Sequence, residues 1–197
     1  MTSTETKAYL SCAETAKLVR TALRDAFPGV KFSVRSDTYA GGASIRVRWT
    51  DGPTSDDVQR VAGIFAGADF DGMVDLKVYA EHWMHPDGRV TIASRPGTNG
   101  SFTEIIGDPL GPSARLVHFG ADFVFCTRDV SPEWHEEILR EFESVIGRPI
   151  PRENLWSVEI PLAIDRIDGS VLHMVEHETE SVSTLVHRYT GTRTRAH

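Results

Sequence analysis

The chain has 197 residues, of which 40% are hydrophobic and 25% are charged, and its formal net charge is -7. This length is enough to bury a sizeable core, and the composition is typical of a globular protein. No apolar run approaches the roughly 18 residues of a membrane span, the N-terminus does not resemble a signal peptide, and two cysteines make no disulfide framework. Membrane-spanning and disulfide-rich secreted classes are therefore excluded, and a cytoplasmic location is expected.

The charge is unevenly distributed along the chain. Residues 1–80 contain ten Lys+Arg and ten Asp+Glu, whereas residues 81–197 contain 11 and 18 and carry the whole net charge. An acidic protein is not a generic nucleic-acid binder. Any nucleic-acid surface should therefore be local and should lie in the first half.

The N-terminal residues 1–9 are polar and are expected to be disordered. Ser11 and Glu14 have the spacing of a capping box and predict the start of a helix, which ends at the turn Pro28-Gly29. The predicted buried stripe of this helix is Ala16, Val19, Ala22, Leu23, Ala26 and Phe27.

A β-hairpin is predicted next, because residues 31–36 and 44–49 both alternate between apolar and polar side chains around a Gly-rich turn. The expected buried side chains, beneath the first two helices, are Phe32, Val34, Ile45, Val47 and Trp49. A second helix follows Thr54, and a strand is predicted over residues 73–79. The pattern is α-β-β-α-β, a small antiparallel sheet with two helices on one face, and it defines a predicted domain over residues 10–80.

Residues 81–190 are predicted to be a strand-rich extension that forms one unit with the first domain. A hairpin around Pro86-Asp87-Gly88 precedes a loop and two apolar strands, and Ser131-Pro132 predicts a third helix over residues 131–146. The remaining predictions are a strand over residues 155–160, strands rather than a helix over residues 171–189, and a disordered tail over residues 191–197. The fold class is α+β.

The polar face of the predicted hairpin is the first candidate functional site. Its members are Lys31, Arg35, Arg46 and Arg48, with Tyr39 in the adjoining loop. Such a row of cations can bind a phosphate chain or an acidic partner, although most charge rows are simply solvated. No aromatic platform is interleaved with these cations in the sequence, so base stacking is not supported.

Neither a metal nor a cofactor is predicted. Asp69, Asp71 and Asp75 lack the ligand count of a calcium loop and are typical of a turn. Two histidine pairs, His82 with His85 and His173 with His177, lack the three or four convergent ligands of a zinc site. The four residues are interpreted as surface or structural histidines.

Cys12 lies in the first turn of the predicted helix, where the helix dipole favours a thiolate. A nucleophile also needs a base and an oxyanion site, and no histidine lies near it in the sequence. Packing of a small side chain is the preferred interpretation. Cys126, in the segment FVFC, is interpreted as a core residue.

The segment SCAETAKLVRTALRDAFPGVKFSVRSDTYAGGASIRVRWTDGPT, followed by GADFDGMVDLK, resembles the large polyvalent-protein-associated domain family, class twenty-nine. The resemblance covers Leu10 to Lys77, and more loosely Leu116 to Trp134 in VHFGADFVFCTRDVSPEW. It implies a protein of phages, plasmids or conjugative elements, some of whose relatives are large proteins thought to enter the recipient cell with the DNA. It carries over no catalytic residues.

The leading functional hypothesis is a non-enzymatic interaction module of a phage or mobile element that binds a host or element-encoded partner, protein in preference to nucleic acid, with a counter-defence or DNA-establishment role in the bacterial cytoplasm. One alternative is nucleic-acid binding through the basic hairpin face. Another is a metal-dependent or thiol enzyme. Because no partner enzyme domain is recognisable in the sequence, a free-standing accessory protein is expected.

Overall fold

A computed structural model describes residues 7–71, 76–95, 104–108, 110–111, 113–160 and 180–195. The helices are α1 (Cys12–Ala26), α2 (Ser55–Ala62), α3 (Pro132–Ile146) and α4 (Val182–Thr192), and a 3-10 turn (Gly63–Phe65) follows α2. The strands are β1 (Ala8–Ser11), β2 (Ser33–Tyr39), β3 (Gly42–Thr50), β4 (Ala68–Asp71), β5 (Leu76–Tyr79), β6 (His82–Met84), β7 (Val90–Ile92), β8 (Ser94–Arg95), β9 (Glu104–Ile105), β10 (Arg115–Gly120), β11 (Phe123–Asp129), β12 (Glu159–Ile160) and β13 (Glu180–Ser181). No described helix is long and apolar enough to cross a membrane.

The mixed α+β fold class is confirmed. The described residues divide into two compact units. The division does not follow residue 80, where the sequence analysis placed the end of the first domain. The first unit comprises the residues up to Arg48 and those from Asp56 to Thr127. The second comprises Trp49–Ser55 and the residues from Arg128 onward.

The predicted hairpin forms the centre of a three-stranded sheet with the order β11-β3-β2. β2 and β3 are antiparallel, with Ser33 opposite Arg48 and Arg35 opposite Arg46. The strand predicted after α2 does not extend this sheet, since β5 pairs instead with β4. β11 supplies the third strand, because the backbone N–H of Asp122 donates to the carbonyl of Ala43 at 2.8 Å just before β11 begins.

A four-stranded sheet of the first unit has the order β1-β10-β6-β7. The antiparallel β6–β7 pair confirms the hairpin predicted around Pro86-Asp87-Gly88. The expectation of disorder up to residue 9 is wrong for Ala8 and Tyr9, which pair in parallel with Val117 and His118 of β10. These backbone bonds to a strand far along the chain hold a segment whose polar sequence gave no strand signal.

The capping box of α1 is confirmed. Ser11 Oγ accepts from the backbone N–H of Glu14 at 3.3 Å, and Glu14 Oε2 accepts from the backbone N–H of Ser11 at 2.9 Å. The buried side chains of the helix are Cys12, Thr15, Ala16, Val19 and Leu23. Ala26, predicted to be buried, is exposed at the last turn, where the stripe has rotated away from the sheet.

The alternation of the hairpin is confirmed for Val34, Ile45, Val47 and Trp49, which are all buried. Phe32 precedes β2 and is only half-buried, in ring contact with Phe27. Ser44 departs from the pattern because it is buried rather than exposed. β3 is the central strand, so a short side chain there is shielded by longer neighbours on both flanking strands.

The second unit has a core between α3 and α4. α3 begins at Ser131, whose side chain accepts from the backbone N–H of Trp134, and ends at Gly147 in the left-handed conformation, as predicted. The buried cluster contains Trp134, Ile138, Leu139, Phe142, Ile150, Val182, Leu185, Val186 and Tyr189. Val145, near the C-terminal end of α3, is 39% exposed.

The prediction of strands up to residue 189 is wrong, because α4 covers Val182–Thr192 and only the short β13 precedes it. Residues 171–179 lie outside the described residues. The predicted strand over 155–160 is reduced to β12, since residues 155–157 form a turn.

The C-terminal segment up to Arg195 is also ordered, contrary to prediction. Arg195 Nη1 donates to Asp51 Oδ2 at 2.7 Å, and its Nη2 donates to Glu137 Oε1 at 2.6 Å. Ser131 Oγ donates to the same Asp51 oxygen at 2.6 Å. Burial raises the pKa of Asp51, but the hydrogen bonds from Ser131 and Arg195 outweigh it and hold the pKa below its ordinary value.

Candidate functional site

The predicted cations of the hairpin are all exposed. Arg35 and Arg46 are directly opposite one another on adjacent strands, and Arg48 is two residues further along β3. Lys31 lies just before β2 rather than within it. We refer to Lys31, Arg35, Arg46 and Arg48, with the side chains that share their side of the sheet, as the basic face.

An acidic residue that sequence reasoning missed also belongs to the basic face. Asp37 follows Arg35 by two positions in β2, so it lies on the same side of the sheet. Its Oδ2 accepts from Arg46 Nη2 at 2.6 Å, and both side chains are more than half exposed. Exposed pairs of this kind contribute little stability, so Arg46 can exchange Asp37 for another anion at small cost. The alternation of the hairpin sequence was sufficient to place Asp37 on the same side as Arg35.

The third strand adds an aromatic side chain to the basic face. Val124 of β11 is buried, as are Ile45 and Val47 of the neighbouring β3, whereas Phe125 is 53% exposed. Because successive side chains of a strand point to opposite faces, Phe125 lies on the same face as Arg46 and Arg48. Phe123, two residues earlier, contacts the Phe125 ring at a centroid distance of 6.0 Å. The expectation that no aromatic platform accompanies the cations is therefore wrong, since adjacency of β11 to β3 is a tertiary feature.

Beside the hairpin turn lies a cleft of about 790 Å³, which we call the tyrosine cleft. Three tyrosines from three strands line it, and each is about half exposed or more: Tyr9 (68%), Tyr39 (49%) and Tyr79 (52%). Tyr39 was named from the sequence, whereas nothing in the sequence placed the other two with it. The last residue of β2 is thus shared between the basic face and the cleft.

The charged groups of the tyrosine cleft occur as two ion pairs. Lys7 Nζ lies 2.8 Å from Glu81 Oε1, and Lys77 Nζ lies 3.1 Å from Asp122 Oδ2. The hydrogen bond to Asp122 raises the pKa of Lys77 above its ordinary value. The Lys77 ammonium also lies over the ring of Tyr79, 5.0 Å from its centroid. The cleft is therefore polar but electrically balanced.

His118 forms the wall of the cleft between two of the tyrosines. Its ring stacks on Tyr9 at 5.4 Å with an interplanar angle of 18° and meets Tyr79 edge-on at 5.8 Å. His118 Nδ1 and Glu81 Oε2 lie 3.6 Å apart. Both atoms are buried and have no hydrogen-bond partner among the described residues. This wall therefore contains unused hydrogen-bonding capacity.

Cys12 also reaches the tyrosine cleft, but its environment does not favour a nucleophile. Its Sγ donates to the carbonyl of Ser44 at 3.6 Å, and burial raises the pKa of the thiol above its ordinary value. This supports the packing interpretation over the dipole argument. Cys126 is only half-buried, and burial raises its pKa to about 11.

The remaining sequence candidates form no metal site in the described part of the chain, where no group of three or more His, Cys, Asp or Glu residues is placed to hold an ion. Asp69 and Asp71 lie in β4, and the turn predicted to follow Asp71 falls on residues 72–75, outside the described residues. Asp75, His173 and His177 lie outside the described residues.

His82 and His85 are both buried. Burial lowers the pKa of His82 to about 4, and its ring packs on Phe119 at 4.8 Å. His85 Nε2 lies 3.3 Å from Asp108 Oδ1. Both are structural residues of the first unit, so the surface alternative for them does not apply.

The fold and these surfaces define a mixed α+β protein with a basic sheet face and an adjacent aromatic cleft. Residues 10–131 match the family described as Large polyvalent protein associated domain 29, and the chain belongs to that family. The matched span includes the basic face and most of the residues that line the tyrosine cleft. No curated protein and no solved structure matches the chain.

Proposed function

We propose that this chain is a non-enzymatic binding module of a phage or another mobile genetic element, acting in the cytoplasm of the bacterial host. The family to which it belongs supports the mobile-element origin. The proposed ligand is single-stranded nucleic acid, and the proposed binding surface is the basic face.

The observation that carries this proposal is the exposure of Phe125 on β11, the strand adjacent to β3, whose Arg46 and Arg48 are exposed as well. Cations alone would bind any polyanion or acidic protein. A cationic groove combined with exposed aromatic rings is the arrangement by which proteins bind single strands, because unpaired bases stack on the rings while phosphates contact the cations. The bases of a double helix are already stacked on one another, so they would not stack on Phe125.

The charge distribution sets the expected strength of binding. The four cations share their side of the sheet with the carboxylates of Asp37 and, by the same alternation along β11, Asp129, within a protein of net charge -7. Three to four phosphate contacts on a single strand predict a slope of log affinity against log salt of about -2 to -3. We therefore expect binding that is measurable at low salt and weakens steeply as salt is added.

The test is a fluorescence-anisotropy titration with labelled single-stranded DNA and RNA of mixed sequence, at several salt concentrations. The double variant Arg46→Glu/Arg48→Glu should abolish binding, and Phe125→Ala should weaken it about 5- to 150-fold, since each stacked base contributes about 1–3 kcal/mol. The matched control is Lys17→Glu/Arg24→Glu, which makes the same charge change at exposed positions of α1. Circular dichroism should show that all variants remain folded.

Two outcomes would contradict the proposal. If the parent protein binds neither single-stranded DNA nor single-stranded RNA at low salt, nucleic acid is not the ligand. The parent and the Arg46→Glu/Arg48→Glu variant should then be compared in a pull-down from nuclease-treated host lysate, in which the variant should lose a captured protein. If both double variants weaken binding equally, the basic face is not the site. Stoichiometric metal retained after dialysis would instead favour the enzyme alternative.

A further inference from the structure

We infer that the tyrosine cleft is a pocket for one nucleobase of the strand bound on the basic face. This inference rests on the proposed function and adds to it a specific subsite, lined by Tyr9, Tyr39 and Tyr79. It predicts that one nucleotide leaves the sheet face and inserts beside the hairpin turn.

The orientation of the tyrosine rings identifies where a base would stack. Tyr79 has the Lys77 ammonium over its ring, 5.0 Å from the centroid, so a cation already occupies that position. Tyr9 has one face stacked on His118 and is nevertheless 68% exposed, which leaves its opposite face open. A flat heterocycle placed on that face would continue the stack of parallel rings.

The size of the tyrosine cleft agrees with such a ligand. Small-molecule sites in proteins have volumes of about 300–1,000 Å³, and the cleft, at about 790 Å³, lies within this range. This volume accommodates a base with its sugar, whereas the basic face is one side of a three-stranded sheet.

The electrostatics favour a neutral ring over a free ion. Lys7 is paired with Glu81 and Lys77 with Asp122, so neither a phosphate nor an organic cation finds an uncompensated partner. A neutral base, which carries both donors and acceptors on its edge, fits a cleft whose charged groups are already paired with one another.

Tyr39 connects the two sites. It is the last residue of β2, on the same side of the strand as Arg35, and it also lines the tyrosine cleft. It lies opposite Gly42, where an added Cβ would approach its ring to 3.1 Å and Asp122 Oδ2 to 2.3 Å. The absence of a side chain at Gly42 therefore lets the ring and the carboxylate approach the turn, and a strand leaving the basic face meets the cleft there.

The experiment uses the full chain and a set of single-stranded oligonucleotides, each carrying the fluorescent base 2-aminopurine at a different position. Stacking on a tyrosine ring quenches this fluorophore, so we expect strong quenching in the bound oligonucleotides whose label enters the cleft. Tyr9→Ala should abolish that quenching and weaken strand binding about 5- to 150-fold, whereas Tyr9→Phe should preserve both. Trp156→Ala, which removes an aromatic side chain that is 73% exposed, is the matched control.

The outcomes separate this inference from the proposed function. If strands bind and the Arg46→Glu/Arg48→Glu variant fails to bind, but Tyr9→Ala changes neither affinity nor quenching, the nucleobase pocket is wrong while the basic face remains the site. If no strand binds, the proposed function fails. Adenosine monophosphate is then the remaining probe: quenching of tyrosine fluorescence that disappears in Tyr9→Ala supports a nucleobase site, and its absence overturns the inference.

Discussion

Trp49 shows how far a single residue can be inferred from alternation alone. The sequence predicts burial, and the indole is 2% exposed, with its Nε1 donating to the carbonyl of Pro53 at 3.0 Å. Trp49→Ala should therefore lower the free energy of unfolding by about 3–5 kcal/mol, as for other buried large aromatic residues. Urea denaturation followed by circular dichroism measures this. Trp156→Ala should stay within about 0.5 kcal/mol of the parent, and equal effects of the two changes would contradict the burial.

Cys12 is a residue for which the local argument and the tertiary environment disagree. A helix N-terminus lowers a thiol pKa, but burial raises it here, so less thiolate is present at neutral pH than for a free cysteine. In a Cys126→Ser background, a thiol reagent at pH 7.5 should label native Cys12 much more slowly than the urea-unfolded chain. Labelling as fast as in urea would restore the nucleophile interpretation.

At the scale of elements, α1 depends on its N-terminal cap. Ser11→Ala removes the acceptor for the backbone N–H of Glu14 and should destabilise the protein by about 0.5–2 kcal/mol. The control is Ser36→Ala, which makes the same change at an exposed position within β2. A denaturation midpoint for Ser11→Ala equal to that of Ser36→Ala would show that the cap contributes nothing.

The same cap predicts a pH dependence. Hydrogen bonds from the side chain and backbone of Ser11 hold the pKa of Glu14 below its ordinary value of 4.5. A carboxyl group with a depressed pKa stabilises the folded state above its unfolded pKa, and this stabilisation is lost as the pH falls through the folded value. The difference in stability between parent and Glu14→Gln should therefore be constant above about pH 5 and shrink below 4.5. A difference that grows on acidification would have the wrong sign.

Elements with strong local signals were predictable, and those that depend on distant partners were not. The capping box and the alternating hairpin specify α1, β2 and β3 through neighbours in the sequence. α4 is rich in β-branched residues, yet its Val182, Leu185 and Val186 are buried against α3 in the core of the second unit. Tertiary packing thus overrides a propensity difference of a few tenths of a kcal/mol per residue.

Across the whole molecule, the basic face is a local exception in an acidic protein. With a net charge of -7 and a sequence pI near 5.6, the chain is negative at neutral pH. It should bind an anion exchanger at pH 7.5 and flow through a cation exchanger, even though Arg35, Arg46 and Arg48 are exposed. Retention on the cation exchanger at moderate salt would mean that the basic face dominates the electrostatic field around the protein. The affinity for a strand should then fall more steeply with salt than the slope given above.

The two candidate sites also differ in whether neighbours in the sequence were enough to predict them. Lys31, Arg35, Arg46 and Arg48 could be named from the sequence because they share one hairpin and one alternation. The tyrosine cleft could not, because its rings come from β1, β2 and β5 and its histidine from β10. No spacing rule relates residues that meet only through sheet pairing.

The parallel pairing of β1 with β10 has a consequence for synthesis on the ribosome. The partners of β1, Val117 to Gly120, are synthesised more than a hundred residues after β1 itself. At about 5–20 residues per second, β1 waits roughly 5–20 seconds as an unpaired strand edge, with Tyr9 and Leu10 open to other chains. The tyrosine cleft is completed only when this edge closes, so a nascent chain cannot capture its ligand there before most of the first unit has been translated.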